Sequence, residues 1–278
     1  MADEQTEVVQ GASWKYVRLE RLLSSPEICV LRVDRPPVNA LGSPLLSDLN
    51  RALTFAEKAP DIRAIVIAAV PSARGVFSAG LDLQELAAAR SEDDLRQMAH
   101  LLSDWYARLL VTPLVTVAAI RGFCAAGGCM MAMCCDVRVM TEGSRMGLNE
   151  LQLGMRVPVS WAVLMARLVG DAAADRLCLG AALADDATCL RVGLVQEVCG
   201  PDAVLRRAVA AARPMLAHPD APRAGYKKER LSQLALDVAA EGLRIAQDAS
   251  SFFLDPRNAD RIKQILGRGA KAPKQSKL

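Results

Sequence analysis

Apolar residues fall along this chain in two rhythms. Near-continuous apolar runs at 28–33, 62–69 and 114–120 read as buried strands, because a strand covered on both faces needs no polar alternation. Around them, apolar positions recur at helical spacing over 43–59, 83–90, 91–110, 160–169, 172–180, 185–192 and 203–217. Pro36-Pro37 ends the first strand; Ser43 is the expected N-cap of the next helix, and Pro44 suits its first position. Gly122 closes the third strand, and a glycine pair opens a helix expected to run through Cys135. Short strands are expected at 137–140 and 194–198, and 229–266 reads as two helices broken near Asp255-Pro256. Strands and helices alternate in the first half, and helices dominate from about Ser160. The pattern predicts an α/β core followed by a helical C-terminal region.

Composition narrows the picture. A chain of 278 residues can form one large domain or two small ones, and 52% hydrophobic with 23% charged residues suits a soluble globular protein. Only 4% is aromatic, so the core must be built from Ala, Leu, Val, Met and Cys. The net charge of +3, with both signs interspersed, argues against a nucleic-acid surface. No uncharged apolar segment is long enough to cross a bilayer. The eight cysteines sit mostly in apolar runs without Cys-x-x-Cys spacing, and read as reduced, buried hydrophobes. Cys124 and Cys129 flank the second glycine motif, where an electrophile could find them. His100 and His218 lie far apart, which disfavours a zinc hydrolase and weakens a Ser-His-Asp triad; no Gly-x-Ser-x-Gly elbow is present. No metal site is expected.

The two ends carry different signals. The acidic, polar start is neither a secretory signal nor an Arg-rich mitochondrial presequence. The last three residues, Ser276, Lys277 and Leu278, match the peroxisomal address, on a loose basic segment beginning at Gly269. They predict a peroxisomal import receptor as a partner and the peroxisome or a related, glycosome-like organelle as the location, with the mitochondrion as the alternative.

Three segments carry candidate chemistry: Phe77-Ser78-Ala79-Gly80-Leu81-Asp82, Ala125-Ala126-Gly127-Gly128, and Glu150 within Gly147-Leu148-Asn149-Glu150-Leu151-Gln152-Leu153-Gly154. Each glycine motif lies where an apolar strand gives way to a helical pattern, and lets a backbone approach another group closely. Two backbone N–H groups aimed at one point stabilise negative charge on a carbonyl oxygen. A carboxylate beside them can move a proton at the adjacent carbon. This is enolate chemistry. Glu150 is also readable as a helix- or turn-capping carboxylate, and the two glycine motifs in order favour the catalytic reading.

Taken together these residues resemble the crotonase (enoyl-CoA hydratase/isomerase) superfamily, over about residues 28–266. Leu31-Arg32-Val33-Asp34-Arg35-Pro36-Pro37-Val38-Asn39-Ala40 looks like its opening strand and turn, and the glycine motifs like its two oxyanion loops. The segment around Glu150 most resembles the mitochondrial-type Δ3,Δ2-enoyl-CoA isomerases. The resemblance implies a crotonase-like ββα spiral core with a helical C-terminal region. It implies a core with the acyl-CoA site at 1–200 and a helical trimerisation region at 201–268, and the loose basic residues 269–278 are expected to be a flexible tail with the peroxisomal signal. It further implies a homotrimer and a fatty acyl-CoA substrate, with no cofactor beyond the coenzyme A that the substrate carries.

By the same resemblance, the oxyanion donors would be the backbone N–H groups of Leu81 and Gly127. Ala79 and Gly80 would lie along the coenzyme A, and Lys227, with Lys228 and Arg230, is the available phosphate-binding cluster. Asp82 belongs to the same loop, and its favoured reading is an N-cap for the helix at 83–90. Phe252 and Phe253, with Trp161, would line an acyl tunnel unless they are simply core.

Hydratases of this superfamily use two glutamates, and the first position falls here on Met130, whose thioether cannot hold a proton. Only Glu150 remains, with Leu148, Leu151 and Met155 as apolar neighbours expected to exclude water and raise its pKa. The expected reaction is therefore double-bond migration in a 3-enoyl-CoA by a single glutamate. A weak hydratase, a dienoyl-CoA isomerase, and a catalytically silent acyl-CoA-binding subunit stay open as alternatives.

Overall fold

The computed structural model describes residues 4–70 and 75–269. An N-terminal meander comes first: β1 (Thr6–Ser13), β2 (Val17–Leu22) and β3 (Ser25–Val33), all antiparallel neighbours. Then follow α1 (Ser43–Lys58), β4 (Ala64–Ala69), β5 (Val76–Ser78), α2 (Leu83–Ala88) and α3 (Glu92–Val111). The next elements are β6 (Val115–Ile120), β7 (Phe123–Ala125), α4 (Gly127–Met133), β8 (Val137–Thr141), β9 (Arg145–Gly147) and α5 (Glu150–Leu153). Helices α6 (Val159–Val169) and α7 (Asp171–Gly180) lead to β10 (Ala184–Asp185), α8 (Asp186–Arg191) and β11 (Glu197–Cys199). The last described elements are α9 (Val204–Leu216), α10 (Asp220–Phe253), a 3₁₀ turn and α11 (Ala259–Gly269).

The strands form two sheets. One has seven strands in the order β1-β2-β3-β4-β6-β8-β11, parallel from β3 onward; the other has four, in the order β10-β9-β7-β5. Successive strands go to different sheets: β4 and β5, then β6 and β7, then β8 and β9, each pair followed by a helix. The same ββα unit is thus laid down three times, as a spiral. This is the α/β architecture that the sequence predicts. Its consequence for chemistry is that the three β-to-α turns of the small sheet fall side by side.

The buried strands explain their unbroken apolar runs. On β4, Ile65 and Ile67 enter the main core while Ala64, Val66 and Ala68 face a second cluster with Ala208, Val209, Ala212 and Leu216 of α9. Both faces are covered, so both must be apolar. The C-terminal helices share the main core: Leu234, Val238, Phe252 and Phe253 pack in one cluster with Leu102 and Leu109 of α3. Gly242 allows α10 to approach α3 closely, since a Cβ there would lie 2.9 Å from Ser103 Oγ.

Several boundaries differ from those predicted. Helix α1 starts at Ser43 itself with Gly42 in the cap position, because Glu85 of α2 reaches over to accept the Ser43 N–H at 2.9 Å. Asp82 does cap α2, accepting the Gln84 and Glu85 N–H groups at 3.0 and 3.2 Å. The last strand is Glu197–Cys199, and α10 begins at Asp220, well before the predicted 229. Among the described residues no helix is long and apolar enough to cross a membrane. Ser276, Lys277 and Leu278 lie outside the described residues.

Candidate active site

Strand β5 runs into the first glycine motif, where hydrogen bonding is nearly complete. Ala79 N–H donates to Val38 O at 3.0 Å, Gly80 N–H to Ser78 Oγ at 3.2 Å, and Asp82 N–H to Leu41 O at 3.2 Å. The Gly80 carbonyl accepts the Leu41 N–H at 2.7 Å. Only the Leu81 N–H is left without a protein acceptor among the described residues. A backbone donor held that way in a folded loop is available to something else.

The second motif behaves alike. Ala126 N–H donates to Gly147 O at 2.9 Å, tying the turn to β9, and Ala126 adopts a positive φ of 50°. The next N–H, that of Gly127, opens α4 and has no protein acceptor among the described residues. The two loops touch. Gly80, at φ 88°, lies so close that a Cβ would fall 2.7 Å from Ala126 Cβ and 3.1 Å from Gly127 N. A Cβ on Gly127 would fall 3.3 Å from Leu81 Cδ1 and 2.8 Å from Tyr106 Oη. Two free donors on abutting loops are able to hold one oxyanion.

Glu150 opens the short helix after β9, the third turn of the spiral. It is 4% exposed, and neither carboxylate oxygen has a hydrogen-bond partner among the described residues. Burial pushes its pKa up to about 7. Burial, and to a lesser degree the charge of Glu150, raises the pKa of Tyr106 on α3, Cys129 on α4 and Cys178 on α7, so the carboxylate lies within electrostatic reach of all three helices. Buried carboxylates are ordinarily paired, so an unpaired one raised into the neutral range marks a functional group. Met130 and Leu148 are fully buried in the same core, whereas Leu151, expected to shield the glutamate, is 40% exposed and faces outward.

The site contains residues that sequence patterning passed over. Tyr106, buried on α3, donates its hydroxyl to the Gly127 carbonyl at 2.7 Å and stacks edge-on against Trp161 at 5.4 Å. Burial drives its pKa well above the ordinary value, so it remains a neutral donor. Arg261 of α11 lies over the Phe252 ring at 5.6 Å and packs on Gly154, the left-handed residue that ends α5. Through Arg261, Phe252 and its edge-on partner Phe253 reach toward the glutamate helix. Only the helical periodicity of their segments was visible beforehand.

Two expectations need correction. Lys227 is not a surface cation: its ammonium donates to Leu114 O at 3.1 Å, Thr116 Oγ1 at 3.4 Å and Asp136 Oδ2 at 2.9 Å, tying α10 to the large sheet. With its side chain 9% exposed and its donors taken, it has no proton to offer a phosphate. Asp82 is the helix cap favoured above, and with two cap bonds and an ion pair with Arg35 its carboxylate is not left for the coenzyme A. Cys124 and Cys129 are buried with thiols held well above their ordinary pKa by that burial, so neither invites an electrophile. Ala79, by contrast, is exposed on the loop surface.

The sequence profile of the enoyl-CoA hydratase/isomerase family matches residues 24–264. This chain belongs to that family. Among its curated relatives, the human mitochondrial enoyl-CoA delta isomerase 1 is 34% identical over 216 residues, covering 73% of this chain and 68% of its own. A probable enoyl-CoA hydratase of Mycobacterium tuberculosis is 31% identical over 218 residues, covering 77% and 81%. The crystal structure of human mitochondrial Δ3,Δ2-enoyl-CoA isomerase superposes with a TM-score of 0.86 at 29% identity, over 94% of this chain and 100% of the other. An enoyl-CoA hydratase from Bacillus halodurans, at 23% identity and a TM-score of 0.79 over 90% and 100%, shares the fold. Family membership makes the protein an acyl-CoA enzyme of the hydratase/isomerase type, and both names occur among its relatives.

Proposed function

We propose that this protein is a Δ3,Δ2-enoyl-CoA isomerase acting on unsaturated fatty acyl-CoA. The observation that carries the reading is one unpaired buried carboxylate, Glu150, with a fully buried methionine, Met130, where a second acid would stand. Glu150, ionised, takes a proton from C2 of a 3-enoyl-CoA. The electron pair of the broken C–H bond enters a dienolate, whose thioester oxygen is held by the Leu81 and Gly127 N–H groups. Glu150 then delivers the proton to C4, leaving the double bond between C2 and C3. One base serves both steps when both carbons lie on the same side of it. The reaction is redox-neutral and needs no cofactor.

Ala79 and Gly80 run beside the coenzyme A in this reading, and Phe252 and Phe253 wall the acyl chain. The homotrimer remains part of the proposal, and exposed Leu236 and Leu243 on α10 are surface that assembly would cover. The names of the mammalian relatives support a mitochondrial setting, and the peroxisomal expectation draws no support from them.

Hydration is the second reading, favoured by the hydratase-named relatives. Turnover of a 3-enoyl-CoA compared with hydration of a 2-enoyl-CoA decides between them. Isomerisation is expected to win in kcat/KM by about 100-fold, the low end of what one positioned acid–base group contributes. Hydration as fast as isomerisation would overturn the assignment.

A further inference from the structure

The oxyanion reading requires the Leu81 N–H to point at a fixed spot, and a particular set of side chains holds it there. Leu81 N–H belongs to the same planar peptide unit as the Gly80 carbonyl, and a trans peptide points its N–H and C=O in opposite directions. Leu41 N–H grips that carbonyl at 2.7 Å, so the turn containing residues 35–41 sets the direction of the donor.

Asn39 organises that turn. It is 7% exposed and sits at a φ of 50°, a left-handed conformation that asparagine tolerates better than most residues. Its Oδ1 accepts the Arg35 N–H at 2.8 Å, and its Nδ2 donates to Val76 O and Phe77 O at 3.1 and 3.2 Å, stitching the turn to β5. Its backbone carbonyl accepts the hydroxyl of Ser78 at 2.8 Å, and the same hydroxyl accepts the Gly80 N–H at 3.2 Å. Ser78, fully buried, also braces the other loop: a Cβ on Gly128 would fall 2.7 Å from Ser78 Cβ. Every one of these bonds spends polar capacity on the backbone around Leu81, and none leaves a group pointing at a ligand.

We propose that Asn39 and Ser78 are positioning residues for the oxyanion donor. Together they clasp the 35–41 turn onto β5, orient the Leu81 N–H through the Gly80 carbonyl, and keep the two oxyanion loops in register. The inference rests on the oxyanion reading of the site, and deepens it by naming what aims the donor.

The test uses Asn39→Gly, Ser78→Ala and the double variant. Glycine keeps the left-handed backbone and the carbonyl that Ser78 grips, and removes only the side-chain bonds. The readouts are kcat and KM for 3-enoyl-CoA, the Kd of a saturated acyl-CoA, and exchange of that ligand's C2 hydrogens with D2O. Loss of a whole oxyanion donor costs about 10²–10³ in kcat, so a misaimed one is expected to cost about 10–100-fold. Exchange should fall in parallel, while KM and Kd move less than about threefold, as for a group that acts only on the developing charge. The double variant should lose less than the product of the two single losses, since both act on one peptide.

Unchanged kcat and exchange in folded variants, or losses confined to KM and thermal stability, would overturn the proposal. Because exchange reads enolate formation alone, a wild-type protein that exchanges C2 hydrogens without isomerising would sink the isomerase assignment and leave this inference to be read from exchange. Should Asn39→Gly fail to fold, Ser78→Cys carries the test. Its thiol is a weak donor of similar shape, so its kcat should fall between those of wild type and Ser78→Ala; a kcat no better than that of alanine would count against the clasp.

Discussion

Glu150→Gln is expected to lower kcat for 3-enoyl-CoA isomerisation by about 10²–10⁴-fold while acyl-CoA affinity stays within a few-fold. The amide nearly matches the carboxylate in shape but cannot take up a proton, so it removes the base without emptying its place. Among the described residues Glu150 is the only buried carboxylate without a hydrogen-bond partner, and Asp82 is bound to Arg35 and the α2 N-terminus. The wild-type pH profile gives an independent reading of the same group. In the proposed mechanism Glu150 is the ionised base, and burial lifts its pKa to about 7. The isomerisation rate should therefore rise about tenfold per pH unit below neutrality and level off above it, and the residual rate of the variant should lack that limb. A flat wild-type profile between pH 5 and 8 would mean that another group, or none, does the work.

The same substitution should gain stability relative to wild type as the pH rises through neutrality. A carboxyl whose pKa rises from 4.5 unfolded to about 7 folded binds its proton more tightly in the native state. Its contribution to stability is fully present below the unfolded pKa, declines as pH rises toward about 7, and is lost above it. With about 1.4 kcal/mol per pKa unit, ionising Glu150 costs the fold about 3 kcal/mol at pH 8 relative to pH 4.5. Glutamine carries no such penalty, although its buried amide gives up about 1–3 kcal/mol if it finds no partner. The difference between variant and wild type is therefore the quantity to follow. Denaturant titrations should show it shifting by about 3 kcal/mol in favour of Glu150→Gln between pH 4.5 and 8. A pH-independent difference would mean that the carboxylate is not desolvated in the native state. Activity lost while relative stability rises with pH at one position is the pattern of a residue retained for function at the expense of the fold.

How legible this was beforehand depended on the length of each signal. The apolar runs of β4 and β6 and the periodicity of α1, α3 and α6 are long enough to stand out, and their boundaries came within a few residues. Strands β5, β7 and β9 have three residues each, too few to show a period, yet with β10 they form the small sheet that brings the two glycine turns and the Glu150 turn together. The glycines marked those turns because only a close approach explains them, as Gly80 against Ala126 shows. The N-terminal strand β1 is largely exposed, so it offered no apolar face to read. The start of α10 was hidden by Pro222 and Gly225, one tolerated in a first turn and the other simply accommodated. Lys227 misled because it is followed by Lys228 and then Glu229-Arg230, a run that looks solvated; only the fold shows it turned inward onto Asp136. Tyr106 was invisible for the opposite reason. Its apolar ring fits the helix period, and its hydroxyl matters only once Gly127 is beside it.

The most direct test of the account follows the proton itself. A 3-enoyl-CoA carrying deuterium at both C2 positions, turned over once in ordinary water, reports where the abstracted nucleus goes. A single buried carboxyl that works both carbons predicts product with deuterium delivered to C4. Product whose new C4 hydrogen comes entirely from water would contradict a one-glutamate shuttle at Glu150.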